Sequence, residues 1–113
     1  MIEGIVMAIS PEVAHKKSGL GLVFVDLREL DDIARFSLDV AEQIAMPFSQ
    51  FEERCAELPK ERELLMICKG GGKSNWAAQQ LLAQGYSQVA NLEGGILKWV
   101  AKGLPTKGDM TSL

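Results

Sequence analysis

Two short runs, Leu22-Val23-Phe24-Val25 and Leu64-Leu65-Met66-Ile67, are apolar at every position and leave no face for water. Strands of this kind are buried on both sides, as in parallel sheets covered by helices. Helical patterns alternate with strands along the chain. Ser10-Pro11-Glu12 opens a short helix with an N-cap serine, a first-turn proline and an acid near the positive end, and Ser18-Gly19 breaks it. Glu29 to Phe36 reads as a helix exposing Glu29, Asp31 and Asp32, and Gln43 to Pro47 as a short strand. Ser49 caps a helix through Phe51, Cys55 and Leu58 that stops at Pro59. Helices over Ser74 to Gln84 and Gly95 to Lys102 flank a further strand at Gln88 to Leu92. Gly85 and Gly103 are their stops, and Gly94-Gly95 makes a tight strand-to-helix turn. The expected fold is α/β, with a mainly parallel central sheet of about five strands and helices on both faces. The polar stretch from Pro105 to Leu113 continues neither pattern and reads as a frayed tail over 106–113.

With 113 residues there is room for one domain, and a charged fraction of 24% against 47% hydrophobic is that of an ordinary globular protein. A net charge of −3 gives no general reason to expect nucleic acid or an acidic membrane as partner. No apolar run reaches the roughly 18 residues of a membrane span. The apolar opening from Met1 to Ile9 carries Glu3 where a secretory signal would carry a basic residue, so a cytoplasmic location is the expectation. Two cysteines and one histidine make neither a disulfide framework nor a metal cluster. No metal and no cofactor are expected.

Chemistry concentrates where the second buried strand ends, at Cys68-Lys69-Gly70-Gly71-Gly72-Lys73-Ser74. Three glycines let the backbone turn its N–H groups inward, because no Cβ blocks positive φ or close approach. A thiol ringed by such donors at a helix N-terminus is placed where a thiolate is stabilised. Lys69 and Lys73 would draw an anionic substrate to it, and Ser74 is read first as the helix N-cap. In sheets of this type ligands bind at the carboxyl ends of the strands, which is where Cys68 lies.

Counting residues separates the chemistries open to such a loop. A phosphate-binding loop ending in Gly72-Lys73-Ser74 needs a glycine where Ile67 stands inside the strand. A cysteine phosphatase needs five residues between its cysteine and a forked arginine, but the sixth position after Cys68 is Ser74. Lys73 comes one step early and offers only a point charge.

The spacing of cysteine, four residues, a basic residue and serine resembles the active loop of the rhodanese-like sulfurtransferases. Val25-Asp26-Leu27-Arg28-Glu29 resembles that family's strand-end segment, commonly Asp-Val-Arg-Glu. Asn91-Leu92-Glu93-Gly94-Gly95-Ile96, Trp99 and Gly103-Leu104-Pro105 resemble its C-terminal signature, and Ile9-Ser10-Pro11-Glu12 its opening. The resemblance covers about residues 9 to 105 in order. It departs at Leu38 to Gln43, where a Gly-His-Ile-Pro-Gly-Ala stretch is usual and only Val40 keeps the apolar character. Gly70 also replaces a common serine and Lys73 a common arginine, which weakens the hold on thiosulfate.

The resemblance implies a single rhodanese-like domain that carries sulfane sulfur as a persulfide on Cys68. The donor would be thiosulfate or another small anionic donor, or a thiol or protein persulfide, and the acceptor thiophilic, with a protein acceptor among the options. Amides and side chains from Lys69, Gly70, Gly71, Gly72, Lys73 and Ser74 would bind substrate. Asp26 and Arg28 support the site as an ion pair or cap. Cys55 is structural, His15 lies at the surface, and Trp99 belongs to the core or the pocket wall. A non-catalytic rhodanese-like module that binds a protein partner through the loop face is the rival reading. A phosphatase or arsenate reductase on the same scaffold is the third.

Overall fold

The computed structural model describes residues 5–113, so Met1 to Gly4 of the apolar opening lie outside it. Five parallel strands form the central sheet: β1 (Met7–Ile9), β2 (Leu22–Asp26), β4 (Gln43–Ala45), β5 (Glu63–Ile67) and β6 (Val89–Leu92). Their order is β1-β6-β5-β2-β4. The strand β1 pairs with β6 through Met7–Ala90, Ala8–Asn91 and Ile9–Leu92, so the chain's opening adds a strand that its pattern did not announce.

Both apolar runs are buried throughout, and alternation divides them between two layers. Val23, Val25, Leu64 and Met66 point to one face. There they meet Phe51 of α3 (Phe51–Arg54) and Ala77, Ala78 and Leu81 of α4 (Gly72–Ala83). Leu22, Phe24, Leu65 and Ile67 point to the other face. They pack on Ala14 of α1 (Pro11–Lys17) and on Ile96 and Trp99 of α5 (Gly95–Ala101). Trp99 is fully buried, edge-on to Phe24, and donates its indole N–H to the Pro105 carbonyl at 2.9 Å. It is a core residue and no part of the pocket wall. The exposed His15 ring lies edge-on to it at 5.8 Å.

Three expectations are corrected outside the sheet. The helix α2 spans Leu30–Arg35, and Phe36, expected as its last residue, instead begins β3 (Phe36–Leu38). This strand pairs antiparallel with β7 (Thr106–Gly108), so the segment expected to fray holds a ladder from Phe36–Gly108 to Leu38–Thr106. A short 3₁₀ turn follows at Met110–Ser112, and Leu113 packs against the buried cluster that contains Trp99. Polarity misled here because β7 is a mostly exposed strand whose backbone, not its side chains, supplies the attachment. The helix expected to start at Ser49 is broken into a 3₁₀ turn at Phe48–Gln50, the α3 turn and another 3₁₀ turn at Cys55–Glu57. Ser49 does not cap it; its hydroxyl donates to the Glu29 carboxylate at 3.0 and 3.2 Å.

The connection from β2 leads by way of α2 and β3 to β4 on one side, and that from β5 leads through α4 to β6 on the other. The adjacent ends of β2 and β5 are therefore the point where the winding reverses, and a crevice opens there. Asp26 and Ile67 are register partners at that edge. Cys68 is the next residue.

Candidate active site

The loop after β5 is fixed from behind by α5. Ile96 N–H donates to the Cys68 carbonyl at 2.9 Å, and Leu97 N–H to the Lys69 carbonyl at 3.1 Å. Because peptides are planar and trans, the N–H groups of Lys69 and Gly70 then point away from α5. Gly71 at φ 100° turns the chain into α4 and is its N-cap residue. Asn75 N–H donates to the Gly71 carbonyl at 3.1 Å, closing the first turn.

A glycine N-cap has no side chain for the free N–H groups of the first helical turn. The Cys68 sulfur takes that place. Gly71 N–H reaches Sγ at 3.1 Å and Ser74 N–H at 3.3 Å, with the positive end of a twelve-residue helix behind them. Two N–H donors and the N-terminal end of the helix thus converge on the sulfur.

Ser74 is therefore not the N-cap it was expected to be; it is the third residue of α4 and fully buried. The Cys68 thiol donates to Ser74 Oγ at 3.2 Å, and the Ser74 hydroxyl donates to Asn91 Oδ1 at 2.5 Å. Asn91 also donates from Nδ2 to the Gly71 carbonyl at 3.4 Å, which ties β6 to the loop. Nothing in its pattern singled Asn91 out beyond its place before Leu92-Glu93-Gly94-Gly95. Its burial near the carboxyl end of β6 shows only in the fold.

A cavity of about 410 Å³ opens over the sulfur. Of the expected site residues, Cys68, Lys69, Gly70, Gly72, Lys73 and Arg28 line it. Gly71 and Ser74 lie beneath, touching Sγ but not the cavity surface. Asp26 stands behind Arg28. The guanidinium donates to it through Nε at 3.2 Å and NH2 at 2.8 Å, and Arg28 N–H also donates to Asp26 Oδ1 at 3.0 Å. A further bond of 2.7 Å from Arg28 to the Phe36 carbonyl anchors β3, so this pair is scaffold at the cavity wall. Leu27, Glu29, Asp32 and Leu113 complete the lining, and none of the four was expected there. Lys73 Nζ sits 5.3 Å from the Phe48 ring centroid.

Cys55 is separate from this site. It is buried beneath α4, with its thiol directed at Gln84 Oε1, 3.6 Å away, and at the Glu52 carbonyl, 3.8 Å away.

The family model of the rhodanese-like domain matches residues 10–102. The chain belongs to the rhodanese-like domain family. It is 37% identical over 84 residues to a sulfurtransferase of Allochromatium vinosum, covering 74% of this chain and 77% of the relative. Its fold is similar to a rhodanese-related protein of Thermoplasma volcanium, with a TM-score of 0.79 at 24% identity over 91% of this chain and 99% of that one. The polysulfide-sulfur transferase homodimer of Wolinella succinogenes is also similar, with a TM-score of 0.79 at 25% identity over 96% and 82% of the two chains. These likenesses support a rhodanese-type transferase in general. Among the described residues no helix of this rhodanese-like domain is long and apolar enough to cross a membrane.

Proposed function

We propose that this rhodanese-like domain is a sulfurtransferase that carries sulfane sulfur as a persulfide on Cys68. The observation that carries the reading is the pair of N–H donors, Gly71 and Ser74, within 3.3 Å of a sulfur at the floor of the cavity. Such a nest holds charge on sulfur, which is what a nucleophilic thiol needs.

In the first half-reaction the Cys68 thiolate attacks the outer sulfur of the donor. The bond from Sγ to that sulfur forms, the donor's own bond to it breaks, and the donor leaves with the electron pair. In the second, a thiophilic acceptor attacks the outer sulfur of the persulfide and the Cys68 thiolate departs. The Ser74 hydroxyl moves from Asn91 to Sγ when the thiol loses its proton, so the sulfur gains a third donor without movement of the backbone. Lys69 and Lys73 attract an anionic donor and stabilise charge on the leaving group. The four residues between Cys68 and Lys73 leave a narrow cradle, which suits the added sulfur better than a tetrahedral phosphoryl group.

The reading is tested by intact-protein mass spectrometry after exposure to thiosulfate, to low-molecular-weight persulfides and to a protein persulfide. A gain of one sulfur, about 32 Da, is expected on the wild-type chain and not on Cys68→Ala. Absence of the adduct from every donor, in folded protein, overturns it. Unchanged binding of a partner by Cys68→Ala would then favour a non-catalytic module, and turnover of an aryl phosphate or arsenate the third reading.

A further inference from the structure

The cavity has two kinds of charge left over. Arg28 is committed to Asp26 and the Phe36 carbonyl, so it offers little to a ligand. Lys69 and Lys73 line the cavity from the loop side, and Glu29 and Asp32 from the start of α2. Among the described residues no ion pair joins any of these four to a partner. The Glu29 carboxylate is held in place by the neutral Ser49 hydroxyl, which leaves its charge uncompensated. Leu27 and Leu113 supply apolar wall.

A small inorganic dianion such as thiosulfate suits this cavity poorly. It would leave most of about 410 Å³ unfilled, a volume within the range of sites for organic small molecules. It would also meet two carboxylates, and unpaired like charge is how a site rejects the wrong ligand. Both features match one ligand chemistry: an aliphatic thiol's persulfide with a carboxylate and an ammonium group at separate points.

Resting on the sulfur-transfer reading above, we propose that the donor is a zwitterionic, amino-acid-based persulfide, with Glu29 and Asp32 as its specificity-determining residues. Its carboxylate is taken by Lys69 and Lys73, and its ammonium by Glu29 and Asp32. The Cys68 thiolate attacks the outer sulfur of R–S–SH. The Sγ–S bond forms, the inner S–S bond breaks, R–S⁻ leaves with the electron pair, and the hydrogen stays on the transferred sulfur. One thiol and one persulfide exchange places, and no external oxidant or reductant is needed.

The test compares cysteine persulfide with N-acetylcysteine persulfide, which keeps the carboxylate and lacks the ammonium group, and includes thiosulfate. The readout is the second-order rate of sulfur addition to Cys68, by mass, in wild type, Glu29→Gln and Asp32→Asn. Both substitutions keep the side chain's shape, and either alone tests the idea if the other fails to fold. Expected is a cysteine-to-N-acetylcysteine rate ratio that falls roughly five-fold in each variant, on the scale of one exposed charge pair. The thiosulfate rate is expected to rise, because a repelling charge has gone. An unchanged ratio, or rates that change alike for all three donors, overturns the assignment while leaving sulfur transfer by Cys68 intact. Absence of any adduct from all donors in the wild type overturns both.

Discussion

Gly95 lies directly against the carbonyls of Cys68 and Lys69 in the loop after β5. A Cβ there would stand 2.7 Å from the Cys68 oxygen and closer still to that of Lys69, and φ is 65°. The approach lets α5 donate from Ile96 and Leu97 to those two carbonyls. Gly95 thus holds the loop that carries the thiol, without touching the sulfur.

Gly95→Ala is therefore expected to push the loop off α5. Both the steric overlap and the positive φ oppose the new methyl group, at a cost of about 1–3 kcal/mol for the backbone strain alone. Urea unfolding should show the loss of stability, and the persulfidation rate at Cys68 should fall at least ten-fold. A rate equal to wild type in folded variant protein would show that the loop does not depend on this contact.

The Asp26–Arg28 pair is nearly fully buried, with side-chain exposures of 1% and 8%, so desolvation has already been incurred by both partners. Removing one leaves a buried charge alone. Arg28→Ala is expected to destabilise the fold by about 3–5 kcal/mol, measured by denaturant midpoint. Arg28→Lys should recover only part of this, because an ammonium cannot fork to both Asp26 oxygens and reach the Phe36 carbonyl. Full recovery by lysine would reduce the pair to simple charge compensation.

The layers of the fold were legible because they follow from patterns that water enforces. Leu22 to Val25 and Leu64 to Ile67 had nowhere to go except the middle of a covered sheet. The cysteine loop was legible because glycine, lysine and thiol occur together at a strand end. What stayed hidden depends on backbone pairing or on residues distant in sequence. The β7 attachment uses main-chain bonds from a polar segment, and side-chain polarity says nothing about those. Ser74 was misread because serine before a helix is usually its cap; here Gly71 starts the helix and Cys68 supplies the acceptor. Glu29 and Asp32 looked like a solvated acidic face. Only the reversal of winding beside β2 brings that face to the cavity.

Ser74→Ala separates the hydroxyl from the backbone donor. The variant keeps the Ser74 position's N–H on Sγ but leaves Asn91 Oδ1 without its 2.5 Å partner in a buried place. An orphaned buried acceptor costs about 1–3 kcal/mol. The persulfidation rate should fall several-fold, less than in Gly95→Ala, since two of three donors to the thiolate remain. Asn91→Ala should bring a similar stability loss and also loosen the Gly71 carbonyl. A rate loss in Ser74→Ala as complete as in Cys68→Ala would mean the hydroxyl does chemistry beyond holding charge.

Tyr86 gives the fold a predictable alkaline limit. Its hydroxyl donates to the Leu58 carbonyl at 2.6 Å and to that of Cys55 at 3.1 Å. Burial, with Cys55 and Glu61 nearby, holds its ionisation above the usual tyrosine value of 10.0. The folded state therefore resists losing this proton more than the unfolded state does. Below pH 10 neither state ionises Tyr86, and its contribution is fully present. As pH rises past 10 the unfolded chain ionises first, so stability falls until the folded-state value is passed. Tyr86→Phe should cost about 1–3 kcal/mol at neutral pH through the Leu58 carbonyl, which loses its donor, while the Cys55 carbonyl keeps the Leu58 N–H. It should also flatten the decline above pH 10 in a series of denaturation curves, whereas an equally steep decline in the variant would assign the alkaline limit to another group.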